Sequence, residues 1–324
     1  MGKTMMKLVA ALSLSIILII SCSKKQENKY PVLGTDTITD VQFTEDYSNT
    51  VSSWKGSGYR NSTIVHAGAD EDFARYFEML AVSGIVKRVY WIFPNRMLEY
   101  SDAERRVKVH LADSAAFPVK EIDKFKLDGG CVSGTLLKTE LSVCSIETLP
   151  PIAVPVIFDM DIDFFNAFPI GREMSKLGGL KEFFDIISGK RLKVLSAHIV
   201  FSGPPFHKYI GYQAADILKR PELVRKSAPP EAWSLIDNAE VIFSEKKFRE
   251  LADYLKEPLK KYPEENTFQF FNSVALAFTG REDDALESLS ALCLKDRSFC
   301  YGLAYTGNEL KNSGKKDVSE RFFK

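Results

Sequence analysis

The stretch Val156–Phe165, VIFDMDIDFF, sets three carboxylates, Asp159, Asp161 and Asp163, at every second position of an apolar run. Its length and composition suit a buried strand, and strand side chains alternate between faces. If the strand stays regular through Asp163, all three acids share one face. Three like charges buried together are costly unless something positive lies against them. A divalent cation meets that need, because carboxylates at strand ends are hard oxygen ligands. Two plainer arrangements also meet it: pairing with an arginine such as Arg60, Arg88 or Arg172, or use of one aspartate as a helix or turn cap.

The surrounding chain has the rhythm of a parallel sheet. STIVHAG is a short apolar run, and DEDFARYFEMLAVSG places Phe73, Phe77 and Leu80 on one helical face before a stop at Gly84. VKRVYWIFP reads as a strand, as do KVHLADS and GGCVSGTLLK, and LSVCSIETL leads into VPVIFDMDIDFF. GGLKEFFDIIS is helical, RLKVLSAHIVFSG is a strand apolar along its length, and KYIGYQAADILKR is helical again. The expected fold is an α/β layer structure with a mostly parallel sheet, spanning residues 39–244.

Ligands of open α/β sheets bind outside the carboxyl ends of the strands, so the rest of a site is sought at other strand ends. His66 closes one such strand in IVHAGADED, and Asp70 and Asp72 follow it. They complete a metal half-site, or else the two aspartates cap the next helix and favour its dipole. His198, in LSAHIVFSGPPF, reaches the same rim or is a satisfied core histidine. His110 and His207 have no acidic cluster beside them in the sequence.

VIFDMDIDFF resembles the aspartate-rich signature of an uncharacterised family related to arginases and deacetylases, in which a D-[IM]-D-[IL]-D-[FY]-F strand follows an H-x-D-x-H-x-D element. The resemblance runs from about Asn61 to Ala215, with VYWIFP and SAHIVFSGPP in the expected order. It implies a three-layer arginase-like fold holding one or two divalent metals, Mn, Zn or Fe, that activate a water against a C–N bond. Asp159, Asp161 and Asp163 match the later motif and His66 opens the earlier one. Gly68 stands where the family has its first Asp, Asp70 where it has the second His, and Asp72 keeps the last acidic position. The implied ligands are Asp159, Asp161, Asp163, His66, Asp70 and Asp72, with His198 the candidate general base. The implied substrate is a small amide, amidine or acetyl-amine. A non-catalytic lipoprotein that uses a degenerate form of the fold, and a binding protein with a structural cation, are the competing expectations.

The N-terminus reads as an export signal. Lys3 and Lys7 precede the apolar run Leu8–Ile20, which ends in IISC, like a bacterial lipobox with Cys22 as the lipidated residue. Residues 1–22 form the signal peptide and 23–38 a tether. Ser23 lacks an acidic inner-membrane retention signal, so the expected address is the outer membrane, anchored through Cys22. In an oxidising compartment the four remaining cysteines form local pairs, Cys131 with Cys144 and Cys293 with Cys300, or stay buried as thiols. The net charge is zero, with no basic footprint for nucleic acid. There is no phosphate-binding glycine loop and no GxSxG elbow.

Beyond about Ser244 the chain reads as helices only, a C-terminal appendage over residues 245–324. Gly280 and Gly314 lie 34 positions apart, a spacing that resembles tetratricopeptide repeats over about one and a half units. The aromatic residues of TFQFFNSVALAF line a groove for a protein partner or belong to a core.

Overall fold

The computed structural model describes residues 30–45, 47–68, 73–94, 96–113, 117–168, 175–201, 204–226 and 230–323. Cys22, Asp70, Asp72 and Arg172 lie outside them. So do the signal segment and most of the tether. No helix among the described residues is long and apolar enough to cross a membrane.

Eight strands form one sheet: β1 Val41–Thr44, β2 Ser62–Ala67, β3 Val86–Ile92, β4 Lys126–Asp128, β5 Cys131–Leu136, β6 Thr139–Cys144, β7 Val156–Asp161 and β8 Val194–Val200. Their spatial order is β1-β8-β7-β2-β3-β6-β5-β4. The first six run parallel, and β5 and β4 extend that edge as an antiparallel meander. β7 is buried at all six positions, as a central parallel strand must be when both faces are covered.

The faces have separate cores. On one, α1 (Tyr47–Gly56), α2 (Phe73–Ser83) and α3 (Ala103–Asp113) pack on Ile64, Val89, Trp91 and Ile157. On the other, α4 (Lys176–Gly189), α5 (Lys208–Lys219) and α6 (Glu231–Ser244) pack on Val65, Phe158, Met160 and Ile199. The described part of KVHLADS, expected as a strand, is the end of α3, at Asp113. Its register becomes helical only when the window opens earlier, because Ala103, Val107 and Leu111 are the buried positions. Both local cysteine pairs are disulfides, and Cys131 and Cys144 face each other across β5 and β6.

The helical region is a repeat with three members. Lys246, Gly280 and Gly314, 34 residues apart in turn, have φ of +57°, +89° and +89°. The amide of the residue after each donates to a carbonyl five back: Lys247 to Ile242, Arg281 to Leu276, Lys315 to Leu310. Helices begin at Phe248 (α7), Glu282 and Lys316, and buried Leu251, Ala285 and Ser319 take equivalent positions. Each member is thus a helical hairpin closed by a Schellman-type turn. The first pairs α6 with α7, the second Asn266–Phe278 with Glu282–Lys295, and the third begins with Tyr301–Asn312. Phe268, Phe270 and Phe271 are buried in the same core as β7 and β8. Phe206, from the segment after β8, stacks on Phe270 at 5.1 Å and touches Phe271 at 5.3 Å and Phe243 at 5.9 Å.

Candidate functional site

The strand order reverses between β2 and β7. From β2 the chain moves to β3 on one side, and from β7 it moves to β8 on the other. The crevice beyond the carboxyl ends of two such strands is where open α/β sheets hold ligands. His66 is the penultimate residue of β2 and Asp161 the last of β7.

The register builds a polar row across the sheet: His66 lies opposite Asp159, and Asp159 opposite His198. His66 and Asp159 are fully buried, His198 is 1% exposed and Asp161 4%. His66 Nδ1 lies 2.6 Å from Asp159 Oδ2, and the Tyr76 hydroxyl donates to the same oxygen at 2.9 Å. The Tyr47 hydroxyl donates to Asp161 Oδ2, and the Asp163 amide donates to Asp161 Oδ1 at 2.9 Å. The two tyrosine rings stack at 4.2 Å over the row. Burial first, then the charges of Asp161 and Asp159, raises the Tyr47 hydroxyl well above its usual range. Burial and Asp159 do the same to Tyr76. Both hydroxyls therefore keep their protons and serve as donors to the acids.

The strand ends at Asp161, so the third carboxylate leaves the row. Asp163 adopts helical backbone angles at the start of the turn Phe164–Ala167 and accepts from Asn166 Nδ2 at 2.9 Å. Two of the three aspartates share a face, and the third sits at the mouth of the next turn. His198 accepts from the Trp54 indole and lies 2.9 Å from Ser196 Oγ. Burial lowers its pKa, while Asp159 and Asp40 oppose the shift. Trp54 and Tyr47 both come from α1, which covers the row. Among the described residues, no group of three or more His, Cys, Asp or Glu side chains is placed to hold a metal ion.

Gly68 is tied to this arrangement. A Cβ built there would fall 2.1 Å from His66 Nε2, so the imidazole occupies the space a side chain at 68 would need. The glycine at 68 and the placement of His66 are thus one feature. Gly68→Ala should lower stability by about 1–3 kcal/mol through overpacking. Urea unfolding checks this, and a neutral result would mean that the ring swings aside freely.

A second polar group lies near the carboxyl ends of β7 and β8. It joins His207, Lys176, Glu240, Tyr209 and Asp237, and Asn166 links it to Asp163. Sequence reasoning passes over it because Glu240 stands 33 residues from His207. The available signal was on α6, where Asp237 and Glu240 fall in the buried stripe of Ile236, Ala239 and Phe243. Acids on an apolar face imply buried partners.

Comparison with family models, curated proteins and solved structures finds no match to this chain.

Proposed function

We propose that this chain is a lipid-anchored envelope protein that binds rather than hydrolyses, on an arginase-like sheet where donors of the chain itself meet three of the four oxygens of Asp159 and Asp161. The observation that carries the reading is the sealed polar row. Both Asp161 oxygens accept protein hydrogen bonds, and Asp159 Oδ2 takes both His66 and Tyr76. A divalent ion needs carboxylate oxygens converging on one point. Asp161 directs its oxygens to donors and Asp163 turns toward Asn166, so the described donors do not fit an ion. The anchor is Cys22 and the address the outer membrane. Repeat arrays present extended binding surfaces to partners. The helical hairpins supply such a surface, with Tyr301 and Tyr305 5.9 Å apart at the last of them.

One observation favours a second reading, a hydrolase of small amides or amidines using Mn, Zn or Fe. His66 Nε2 and Asp159 Oδ1 are buried without a hydrogen-bond partner. Metal analysis of the chain beginning at Ser23, purified without chelator, separates the two. The binding reading expects no stoichiometric metal and no change of Tm with chelator, in the native protein and in Asp161→Asn alike. Stoichiometric metal that Asp161→Asn loses would overturn it and send the protein to an amide and amidine substrate screen.

A further inference from the structure

The buried group around His207 lies at the joint between the sheet and the first helical hairpin. Phe206 anchors the joint among Phe243, Phe270 and Phe271, and His207 is the next residue. Lys176 reaches it from α4, Glu240 and Asp237 from α6, and Tyr209 from α5. His207, Asp237 and Glu240 are all buried.

Three polar atoms form a closed triangle. Lys176 Nζ lies 2.6 Å from Glu240 Oε1 and 2.7 Å from His207 Nε2, and His207 Nε2 lies 2.8 Å from the same Glu240 oxygen. With Lys176 charged and Glu240 ionised, neither imidazole state satisfies all three sides. With Nε2 bare, lysine donates to both partners, and the histidine–glutamate side sets two acceptors together. With Nε2 protonated, histidine and lysine both donate to the carboxylate, and the lysine–histidine side sets two donors together. His207 Nδ1 is buried without a partner and offers no compensation. The outer members do not relieve the conflict. The Tyr209 hydroxyl has one proton to share between Glu240 Oε2 at 2.9 Å and Asp237 Oδ1 at 2.8 Å, and the Lys176 amide donates to Asp237 Oδ1 at 3.1 Å.

We propose that His207 is a proton-operated selector that sets how tightly the sheet holds the first helical hairpin. With His207 charged, its bond to Glu240 is charge-assisted, and Lys176 turns toward Asn166, which it already contacts. The segment after β8 is then tied directly to α6. With His207 neutral, the Lys176 ammonium at 2.7 Å from Nε2 favours the tautomer with its proton on Nδ1; lysine then bridges the two groups, and the segment reaches α6 only through that bridge.

The test is a titration of the full chain in detergent, labelled with 15N at histidine, with hydrogen exchange of the α6 amides read in the same samples. His207→Gln assigns the His207 signals and serves as the control. The expected result is that the His207 imidazole changes state during the titration, with α6 protection about tenfold higher on the acid side once intrinsic exchange is removed. The two midpoints should coincide, and His207→Gln should flatten the change. An imidazole that keeps one state throughout, protection whose midpoint departs from the imidazole midpoint, or an unchanged profile in His207→Gln would each overturn the proposal. Should His207→Gln fail to fold, the paired midpoints of the native protein still decide it.

Discussion

Replacing Asp159 by alanine should lower stability by about 2–6 kcal/mol, about 1–3 kcal/mol for each of two buried donors left without an acceptor. Asp159 is fully buried, and its Oδ2 receives both His66 and Tyr76. Alanine would leave His66 Nδ1 and the Tyr76 hydroxyl without an acceptor in a place that water does not reach. Asp159→Asn keeps the volume and one accepting oxygen, so its loss should be smaller, about 1–3 kcal/mol. Urea unfolding of the two variants beside the native chain gives both numbers. A loss below about 1 kcal/mol for the alanine variant would mean that the orphaned donors find solvent, and that the polar row is not sealed. The sealed reading of the switch point would then fail with it.

The contrast between legible and hidden parts follows the range of the interactions. β2, β3, β7 and β8 were readable because a central parallel strand is apolar along its length, and four or more neighbouring residues carry that signal. The acids on β7 were readable because a carboxylate in such a run is out of place. Their partners were not. Tyr47 meets Asp161 across 114 residues of sequence and Tyr76 meets Asp159 across 83, and neither helix advertises the contact by spacing. The alternation that places three acids on one face fails at Asp163 for a local reason: the strand ends two residues earlier. The first hairpin was hidden because Lys246 stands where the other two turns have glycine. Its φ of +57° is a conformation that lysine rarely adopts, so the residue type gave no hint of the backbone it holds.

The same logic explains why the Glu240 joint escapes the sequence, and it makes acid stability the sharper test of it. Burial alone would raise the Glu240 carboxyl, but His207 and then Lys176 hold it down from 4.5 to about 2. The folded pKa lies below the unfolded value, so the stabilisation is complete above about 4.5 and is lost as pH falls toward 2. A shift of that size corresponds to about 3 kcal/mol. Glu240→Gln removes this titration while keeping the side-chain volume. The native chain should therefore exceed the variant by about 3 kcal/mol just above pH 4.5, where His207 still bears its charge, and the gap should close between pH 4.5 and about 2. Urea midpoints at several pH values across that span measure the gap directly. Two curves that stay parallel would mean that Glu240 titrates alike in the folded and unfolded chains. The ion pairs at the joint would then contribute nothing to holding the helical hairpins on the sheet, and Phe206 would hold them by packing alone.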